Sequence, residues 1–532
     1  MINLPTNVAK KFVGNVEIGK DIEKGMSLFG TDMNRATHYN TKEELIAARE
    51  TIHNNLFMLD RSVYGCLACL PGTTDISKMT VASRLLSIAW NPKPGYNWIE
   101  PILTMDHERM IIDHLVSTLP ANRMLNLFIS FSNDKINNSR MRKTVLPFIL
   151  NSNNLAWWAV KYRKKLNSIF THCWGKKMTS VISTILGKKA KTQKDEDILN
   201  SFISNYVILK DKVDIVYECI SFVFSSLDES EYTQNLFQSF YGSKKDFSLA
   251  KGLPKEVIEG IRASYHPDVD KAETLEVAKS SMTVKEKKLV QNQAKKSGVK
   301  IEWDAFTQPL VDLIIYGFKM GFTSIIHEAI FQKAKKAAEV LPFNYTNVGI
   351  LCDDSFSMSG SDDQKLRALA VTYATVEMLK NLGHKTTTIT TSGRRMSVTN
   401  NPVGESNLAS PLIKLLKQGP EVIFVVSDGY ENAPEGRFGE VLKIVRDKLR
   451  IDIPIYHFNP VSAAESKIAL KRLSNDVTIT PVSNPEKMGL TLFKTMIAAD
   501  PKQGVVELFN MVLPELEKTK QLYARKSALI TE

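Results

Sequence analysis

A strand-length apolar run, Asn347-Val348-Gly349-Ile350-Leu351-Cys352, stands directly before the polar turn Asp353-Asp354-Ser355-Phe356-Ser357. Such a run, bounded by polar residues, is typical of a buried strand in a parallel sheet. Residues that follow a strand of this kind lie at the carboxyl edge of the sheet, where α/β folds bind ligands. The turn has the pattern Asp-x-Ser-x-Ser, and its carboxylate and hydroxyl oxygens suit Mg²⁺ or Mn²⁺.

Two further segments downstream complete the candidate metal site. Residues 422–426 form a second apolar run, which ends in Ser427-Asp428-Gly429. Between the two runs, the polar loop 404–408 opens a helix and brings one more hydroxyl, that of Ser406. We therefore expect one divalent cation, Mg²⁺ (or Mn²⁺), to be held, partly through water, by five residues: Asp353, Ser355, Ser357, Ser406 and Asp428.

These three loops resemble the metal-ion-dependent adhesion site of von Willebrand factor A-type domains. The first loop of that family matches Asp353, Ser355 and Ser357, and its third-loop aspartate matches Asp428. The family's second loop supplies a threonine, whereas this chain has Ser406, which keeps the hydroxyl. The resemblance implies that the metal recruits an acidic residue of a partner protein. Because no His or Lys lies within the three loops, we expect recruitment rather than catalysis.

Strand and helix patterns alternate in the C-terminal part, which predicts a doubly wound α/β sheet. The predicted strands are 347–352, 386–391, 422–427, 453–458 and 477–482. The predicted helices are 364–382, 407–417, 437–449, 463–473 and 485–497. We assign residues 341–500 to the A-type domain and residues 501–532 to a C-terminal helix.

Residues 41–340 show apolar positions three and four apart, separated by short breaks, and strand patterns are scarce. This predicts serial amphipathic helices, as in an all-α helical-repeat (HEAT-like) body. Residues 1–40 precede it as an N-terminal arm. Within the body, residues 270–300 are rich in Lys, Glu and Gln and predict one long exposed helix.

Composition limits the class of protein. The 532 residues include 43% hydrophobic and 24% charged residues, as in ordinary globular proteins, and imply more than one domain. No apolar run is long enough to span a membrane, and the first residues lack the apolar core of a signal peptide. Five cysteines favour reduced thiols, so we expect a cytoplasmic protein, as a monomer. Cys66 and Cys69 form a CxxC, for which core packing is favoured over redox or zinc chemistry.

The net charge of +12 is concentrated in the N-terminal part. Residues 1–350 carry 46 Lys and Arg against 36 Asp and Glu, whereas residues 351–532 carry 23 against 21. Residues 135–194 contain fourteen Lys or Arg and no Asp or Glu. The repulsion among these positive charges is relieved when an anionic polymer supplies the counter-charge, which favours RNA binding by this segment. The candidate contacts in this basic segment are Arg140, Arg142, Lys143, Lys161, Lys164, Lys165, Lys176, Lys177, Lys188 and Lys189.

Aromatic residues are interleaved with these charges. Residues 155–170 predict one amphipathic helix, with Trp158 and Tyr162 favoured as core. For Trp157 and Trp174, stacking on bases and packing in the core are both open. His172 is a candidate for stacking or for donation to a phosphate, although a lone histidine is more often structural.

A basic helical body followed by an A-type domain resembles the Ro ribonucleoprotein autoantigen family, whose helical part is the TROVE module. The resemblance implies a ring of helical repeats that binds small non-coding Y RNAs and the single-stranded ends of misfolded RNAs. It rests on domain order and charge, and apart from His172 no RNA contact of the family is carried over.

Two other classes of function stay open. One is a metal-dependent protein-interaction adaptor without RNA, like the A-type domain proteins that work beside MoxR-type ATPases. The other is an enzyme, which the sequence does not support, since it has no Gly-x-x-x-x-Gly-Lys-Ser, no HExxH and no Gly-x-Ser-x-Gly motif.

Overall fold

The fold is described from a computed structural model. It describes residues 25, 29, 41–70, 72–88, 103–208, 210–339, 345–360, 365–461, 471–487, 505–506 and 508–518. The predicted arm at 1–40 lies almost wholly outside these residues, as do most of the helices predicted at 463–473 and 485–497. Of the predicted C-terminal helix, residues 508–518 are helical.

The described residues divide into two compact units. The sheet unit contains those within 1–81, 90–111 and 305–515, and the helical unit contains those within 82–89, 112–304 and 516–532. Helices before and after the helical unit therefore belong with the sheet. The domain boundaries proposed from the sequence remain predictions.

Among the described residues before the sheet, every regular element is helical, as predicted. The first helices are α1 (Lys42–Leu59), α2 (Arg61–Cys69), α3 (Asp75–Ser87), α4 (Met105–Ser117), α5 (Ala121–Asn133), α6 (Ser139–Leu150), α7 (Leu155–Lys161) and α8 (Arg163–Trp174). They are followed by α9 (Lys176–Leu186), α10 (Gln193–Phe202), α11 (Val213–Phe224), α12 (Asn235–Gly242), α13 (Lys255–Tyr265), α14 (Lys271–Ala278), α15 (Val284–Leu289), α16 (Gln291–Lys296), α17 (Leu310–Met320) and α18 (Ser324–Glu339). No helix among the described residues is long and apolar enough to cross a bilayer.

Two helices predicted as continuous are broken. The helix predicted over 155–170 is interrupted at Tyr162, whose φ of −122° and ψ of 28° leave the helical region. The helix predicted over 270–300 is three short helices, because the Thr283 hydroxyl accepts from the Glu286 N–H and starts a new one with a capping box. Capping residues inside a helical pattern thus set boundaries that periodicity alone does not show.

The sheet is five-stranded and fully parallel, with strand order β2-β1-β3-β4-β5. Its strands are β1 (Tyr345–Cys352), β2 (Gly383–Thr390), β3 (Val422–Val426), β4 (Ile455–Asn459) and β5 (Thr478–Pro481). All five predicted strands are present. The helices between them are α19 (Arg367–Leu379), α20 (Ala409–Leu416) and α21 (Arg437–Asp447).

Helices cover the central strands. Leu351, Ile423 and Val425 point to one face and form a core cluster with α20 and α21. Ile350 and Phe424 are also buried, and strand alternation places them on the opposite face. There α19 contacts β1 and β3, and the pair α17 and α18 packs on α19. The central strands are thus buried on both sides, and polar residues that leave β1 and β3 are held at a rigid edge.

All five cysteines lie in described regions, and none forms a disulfide. Burial raises the pKa of the Cys66 thiol and raises that of Cys69 to about 12. Thiols held neutral in this way are poor nucleophiles and poor metal ligands, which favours the packing interpretation of the CxxC.

Candidate metal centre and basic segment

The two strands that carry the candidate aspartates are neighbours and end at the same level. Cys352, the last residue of β1, pairs with Val426, the last residue of β3. The Asp353 N–H continues the ladder by donating to the Val426 carbonyl at 2.9 Å. Asp353 and Asp428 therefore leave the sheet side by side, as the sequence predicted for strands of one parallel sheet.

A chain of hydroxyl contacts joins the three loops. The Ser406 hydroxyl donates to the Ser355 Oγ at 2.7 Å, and the Ser355 and Ser357 hydroxyls are 3.1 Å apart. The Ser357 hydroxyl also hydrogen-bonds to the Asp428 carboxyl. Asp353 Oδ1 accepts from the Ser355 N–H at 3.0 Å. All five predicted ligands thus belong to one connected cluster.

Both aspartates in the cluster are shielded from solvent. Asp353 is 0% exposed and Asp428 is 1% exposed. Burial, together with the neighbouring Asp353 charge, raises the pKa of Asp428 to about 7, and burial also raises the pKa of Asp353. In the part of the chain that is described, neither carboxyl has an ion pair. Two buried carboxylates side by side are costly unless a cation offsets their charge, and the cluster therefore fits a divalent cation.

The adjacent Asp354 has a different environment. Arg394 Nη2 lies 3.0 Å from Asp354 Oδ2, and Ser392 donates to both carboxylate oxygens of Asp354. The Thr391 hydroxyl donates to Asp354 Oδ1 at 3.0 Å and to Asp353 Oδ1 at 3.2 Å. Asp354 is thus neutralised by protein groups, whereas Asp353 is held only by N–H and hydroxyl donors.

Sequence reasoning missed several residues that shape the site. Ser427 donates to Asp353 Oδ2 at 2.6 Å, and Asn432 Oδ1 accepts from the Ser406 N–H at 2.8 Å. Glu431, nearly buried, accepts from the N–H groups of Leu408 and Phe438 at 3.2 and 2.7 Å. The sequence feature that could have identified these three residues is their position within four residues of Asp428. A carboxylate at the start of two helices stabilises the loop that carries Ser406.

Gly429 is required by the backbone next to Asp428. Its φ is +85°, and a Cβ added there would lie 2.3 Å from the Lys471 carbonyl oxygen. Only glycine adopts this conformation without strain and leaves room for the Lys471 backbone. The Asp-Gly pair seen in the sequence is therefore a structural requirement of the third loop.

The composition of the cluster limits the kind of metal. Within the described ranges, no group of three or more His, Cys, Asp or Glu is arranged to hold a metal ion. The cluster offers only two carboxylates, and its other donors are hydroxyls. Such oxygen donors suit a hard cation that keeps several waters, such as Mg²⁺, better than zinc.

The basic segment, residues 135–194, lies in the helical unit and extends from before α6 into α10. Nine of its lysines are exposed, and the ammonium groups of eight of these make no hydrogen bond or ion pair to another described residue. They include five candidates for RNA contact: Lys143, Lys164, Lys176, Lys177 and Lys189. The others are Lys135, Lys191 and Lys194.

Two charges that the sequence left unpaired are paired in the structure. Lys161 Nζ lies 3.1 Å from both Glu256 and Glu286, and its side chain is 13% exposed. Lys188 Nζ lies 2.8 Å from Asp195 Oδ1. The prediction of uncompensated charge is therefore wrong for these two lysines: acids distant in sequence fold against Lys161, and the residue that directly follows the segment, Asp195, pairs with Lys188.

Three other basic candidates have partial protein contacts. Lys165 donates to Asn126 Oδ1 at 2.7 Å, and Arg142 donates to Asn137 Oδ1 at 2.8 Å. Arg140 donates to a backbone carbonyl, that of Ile88, at 3.3 Å. All three remain partly exposed, so their guanidinium and ammonium groups keep donors for a phosphate.

The aromatic candidates separate into core and surface. Trp174 is 8% exposed and stacks on Phe170 with ring centroids 4.9 Å apart, which places it in the core. His172 Nε2 contacts the Ile136 carbonyl at 2.6 Å, which favours a structural role. Trp158 is buried against Phe148, as favoured from the sequence. Trp157 is partly exposed and lines a cavity in the helical unit.

Comparison with known proteins shows little similarity. No protein-family model matches the chain, and no curated protein matches it. Among solved structures, the chain is similar to the Ro (RSR) protein of Deinococcus radiodurans, with 12% identity and a TM-score of 0.31, over 78% of this chain and 99% of that chain. A TM-score this low does not establish a shared fold.

Proposed function

We propose that the sheet unit binds one divalent cation, Mg²⁺ or Mn²⁺, at the carboxyl edge of its sheet and uses it to recruit an acidic residue of a partner. The observation that carries this proposal is the connected cluster of Asp353, Ser355, Ser357, Ser406 and Asp428. Its pattern and spacing resemble those of an A-type adhesion domain. The cation would supply positive charge and vacant coordination for a carboxylate, and the five side chains would orient it.

Two features favour recruitment over hydrolysis. The residue between two of the candidate ligands is Phe356, whose side chain is 69% exposed. The turn that carries Phe356 is fixed to the loop before α20, since the Phe356 N–H donates to the Gly404 carbonyl at 2.9 Å. An exposed aromatic ring beside a cation is a contact surface for a protein. Arg394, the basic group that contacts the turn after β1, is engaged by the Asp354 carboxylate and is a poor proton acceptor.

The metal site is tested by Mn²⁺ binding, measured by electron paramagnetic resonance on the full chain. Asp353→Asn and Asp428→Asn should abolish binding while the far-ultraviolet circular dichroism spectrum is unchanged. Asp452→Asn, which alters a highly exposed aspartate of the same unit, is the matched control and should bind as the parent does. Parent protein that binds no Mn²⁺ at millimolar concentration would refute the proposal.

Recruitment is tested with acetate as the simplest carboxylate probe. Bound Mn²⁺ with open positions enhances the relaxation of water protons, and acetate that replaces a coordinated water should lower this enhancement. If acetate leaves the enhancement unchanged, the cation has no position available for a partner.

A second function is proposed for the helical unit: it binds RNA, with single-stranded RNA favoured. The observation that supports it is the set of eight exposed lysines without protein partners in the basic segment. A surface of one sign attracts an anionic polymer, and its affinity is carried mainly by phosphates. With a metal-dependent A-type domain, this would make the chain a ribonucleoprotein component similar in domain order to the Ro family.

A test of RNA binding distinguishes a ribonucleoprotein component from a metal-dependent protein adaptor that binds no RNA. Protein purified without ribonuclease should carry material that absorbs more strongly at 260 nm than at 280 nm, and ribonuclease should remove it. If the protein purifies free of nucleic acid and fails to bind a single-stranded RNA at low salt, the adaptor function is favoured.

A further inference from the structure

We infer that the cavity beside Trp157 in the helical unit is a nucleobase pocket, which receives one unpaired base of the bound RNA. This inference rests on the proposed RNA binding of the same unit and names the part of the RNA that enters it. The cavity has a volume of about 530 Å³, within the range of pockets that enclose small organic ligands. Its lining combines two tryptophans and a tyrosine with hydroxyl and amide groups.

Trp157 is the surface on which a base would stack. Among the described residues no ring stacks on Trp157, and its indole N–H has no hydrogen-bond partner. The neighbouring Trp158 is different, because its ring is covered by Phe148 at an angle of 7°. A partly exposed indole that lines a cavity and carries no stacked ring is suited to serve as the platform for a base in single-stranded recognition.

The charges around the cavity favour a neutral ring over a phosphate. Lys161 lines the cavity, but it is ion-paired with both Glu256 and Glu286. This triad carries one positive and two negative charges, so it repels an anionic group. A nucleobase is uncharged and meets no such repulsion. Asn154 and Ser280 also line the cavity and offer hydrogen bonds to the polar edge of a base.

Phosphates on either side of the inserted base have partners close by in sequence. Lys164 follows the cavity residue Tyr162 by two positions and is exposed. Lys165 lies with Nζ 5.4 Å from the centre of the Tyr162 ring and is partly exposed. The lysines that attract the RNA backbone and the cavity that accepts a base are therefore on adjoining turns of α7 and α8.

The test uses the full chain, adenosine and a single-stranded RNA decamer. Saturation-transfer NMR should show contact between the protein and the adenine protons, and Trp157→Ala should remove that contact. The same variant should weaken decamer binding about tenfold, within the roughly 1–3 kcal/mol of one stacked base. Ala121→Phe, which places a bulky ring at the wall of the cavity, should have the same effects without removing the indole.

Trp303→Ala is the matched control, because Trp303 is partly exposed in the same unit and does not line the cavity. It should leave both measurements unchanged. If the decamer binds equally to the parent, Trp157→Ala and Ala121→Phe, and adenosine receives no saturation transfer, the proposed nucleobase pocket is refuted. RNA binding by the helical unit is then still supported. Transfer to adenosine without decamer binding supports the pocket and refutes the RNA function. Binding of tetramethylammonium but not adenosine would identify a cation cage and overturn the pocket.

Discussion

The Ser406 hydroxyl donates to the Ser355 hydroxyl at 2.7 Å, across 51 residues of sequence. This contact brings the loop before α20 to the turn after β1 and places the Ser406 hydroxyl beside that of Ser355. The side chain of Ser406 is buried, and its N–H is held by Asn432. The serine is therefore fixed in place before any cation binds.

The first prediction concerns the Ser406 hydroxyl. Ser406→Ala should lower Mn²⁺ affinity roughly fivefold, because it removes one oxygen whose net contribution is about 1 kcal/mol. Ser406→Thr keeps the hydroxyl and should bind more tightly than the alanine variant. Isothermal titration calorimetry measures both. Ser410→Ala, which alters an exposed serine in the first turn of α20, serves as control, and an equal loss in that variant would contradict a specific role for Ser406.

The second prediction concerns the ion pair beneath the site. Arg394→Ala should lower the free energy of unfolding by about 1–3 kcal/mol, since it leaves the buried Asp354 carboxylate without its cation. Urea denaturation followed by circular dichroism measures the change. Arg395→Ala removes an exposed arginine next to it and should cost much less. Equal losses in the two variants would mean that the Arg394 pair contributes nothing specific.

The third prediction separates two lysines that the sequence treated alike. Lys161→Met should lower the free energy of unfolding by about 1–3 kcal/mol, because Glu256 and Glu286 lose their shared partner. Lys164→Met should leave stability unchanged within about 0.5 kcal/mol, since Lys164 is exposed without a partner. Urea denaturation of both variants is the measurement. The reverse order of stability would show that the Lys161 triad does not hold α7 against α13 and α15.

The fourth prediction concerns salt. If roughly six lysines meet phosphates of a single strand, log affinity should fall with log salt at a slope near −4. Replacing Lys176 and Lys177 by Glu should make that slope shallower and lower the affinity for all RNA sequences by a similar factor. Fluorescence anisotropy at several salt concentrations measures it. A variant that keeps the parent's affinity and slope would exclude these lysines from the RNA surface.

The fifth prediction concerns His457 on β4, which is buried and whose Nε2 lies 2.8 Å from the Ser427 carbonyl. Burial lowers its pKa from 6.5 to about 4, so folding favours the neutral ring. Its stabilising contribution is complete above pH 6.5 and is lost as pH falls toward 4, by about 3 kcal/mol in all. Urea midpoints between pH 7 and 4 should show this loss.

The control for this prediction is His384→Gln, since His384 is exposed on β2. That variant should keep the full acid destabilisation, whereas His457→Gln should show less of it. Titration of the His457 ring protons by NMR gives an independent check that does not require the variant to fold. A ring that titrates near 6.5 in the folded protein would refute the prediction.

The sequence by itself determined the local features of this protein. Apolar runs that end in Asp353 and Asp428 determined the parallel strands and the edge at which the two carboxylates meet, because strand periodicity and turn chemistry act between near neighbours. Helical periodicity likewise identified the helical part. It did not identify the breaks at Tyr162 and Thr283.

Tertiary structure alone decided which polar groups are paired. Glu256 and Glu286, which are distant in sequence, fold against Lys161, although the basic segment contains no acid of its own. Trp174 and Trp157 both lie in the basic segment, yet one is core and the other lines a cavity. Pairing and burial depend on which helices pack together, and that arrangement minimises the free energy of the whole unit rather than of any one segment.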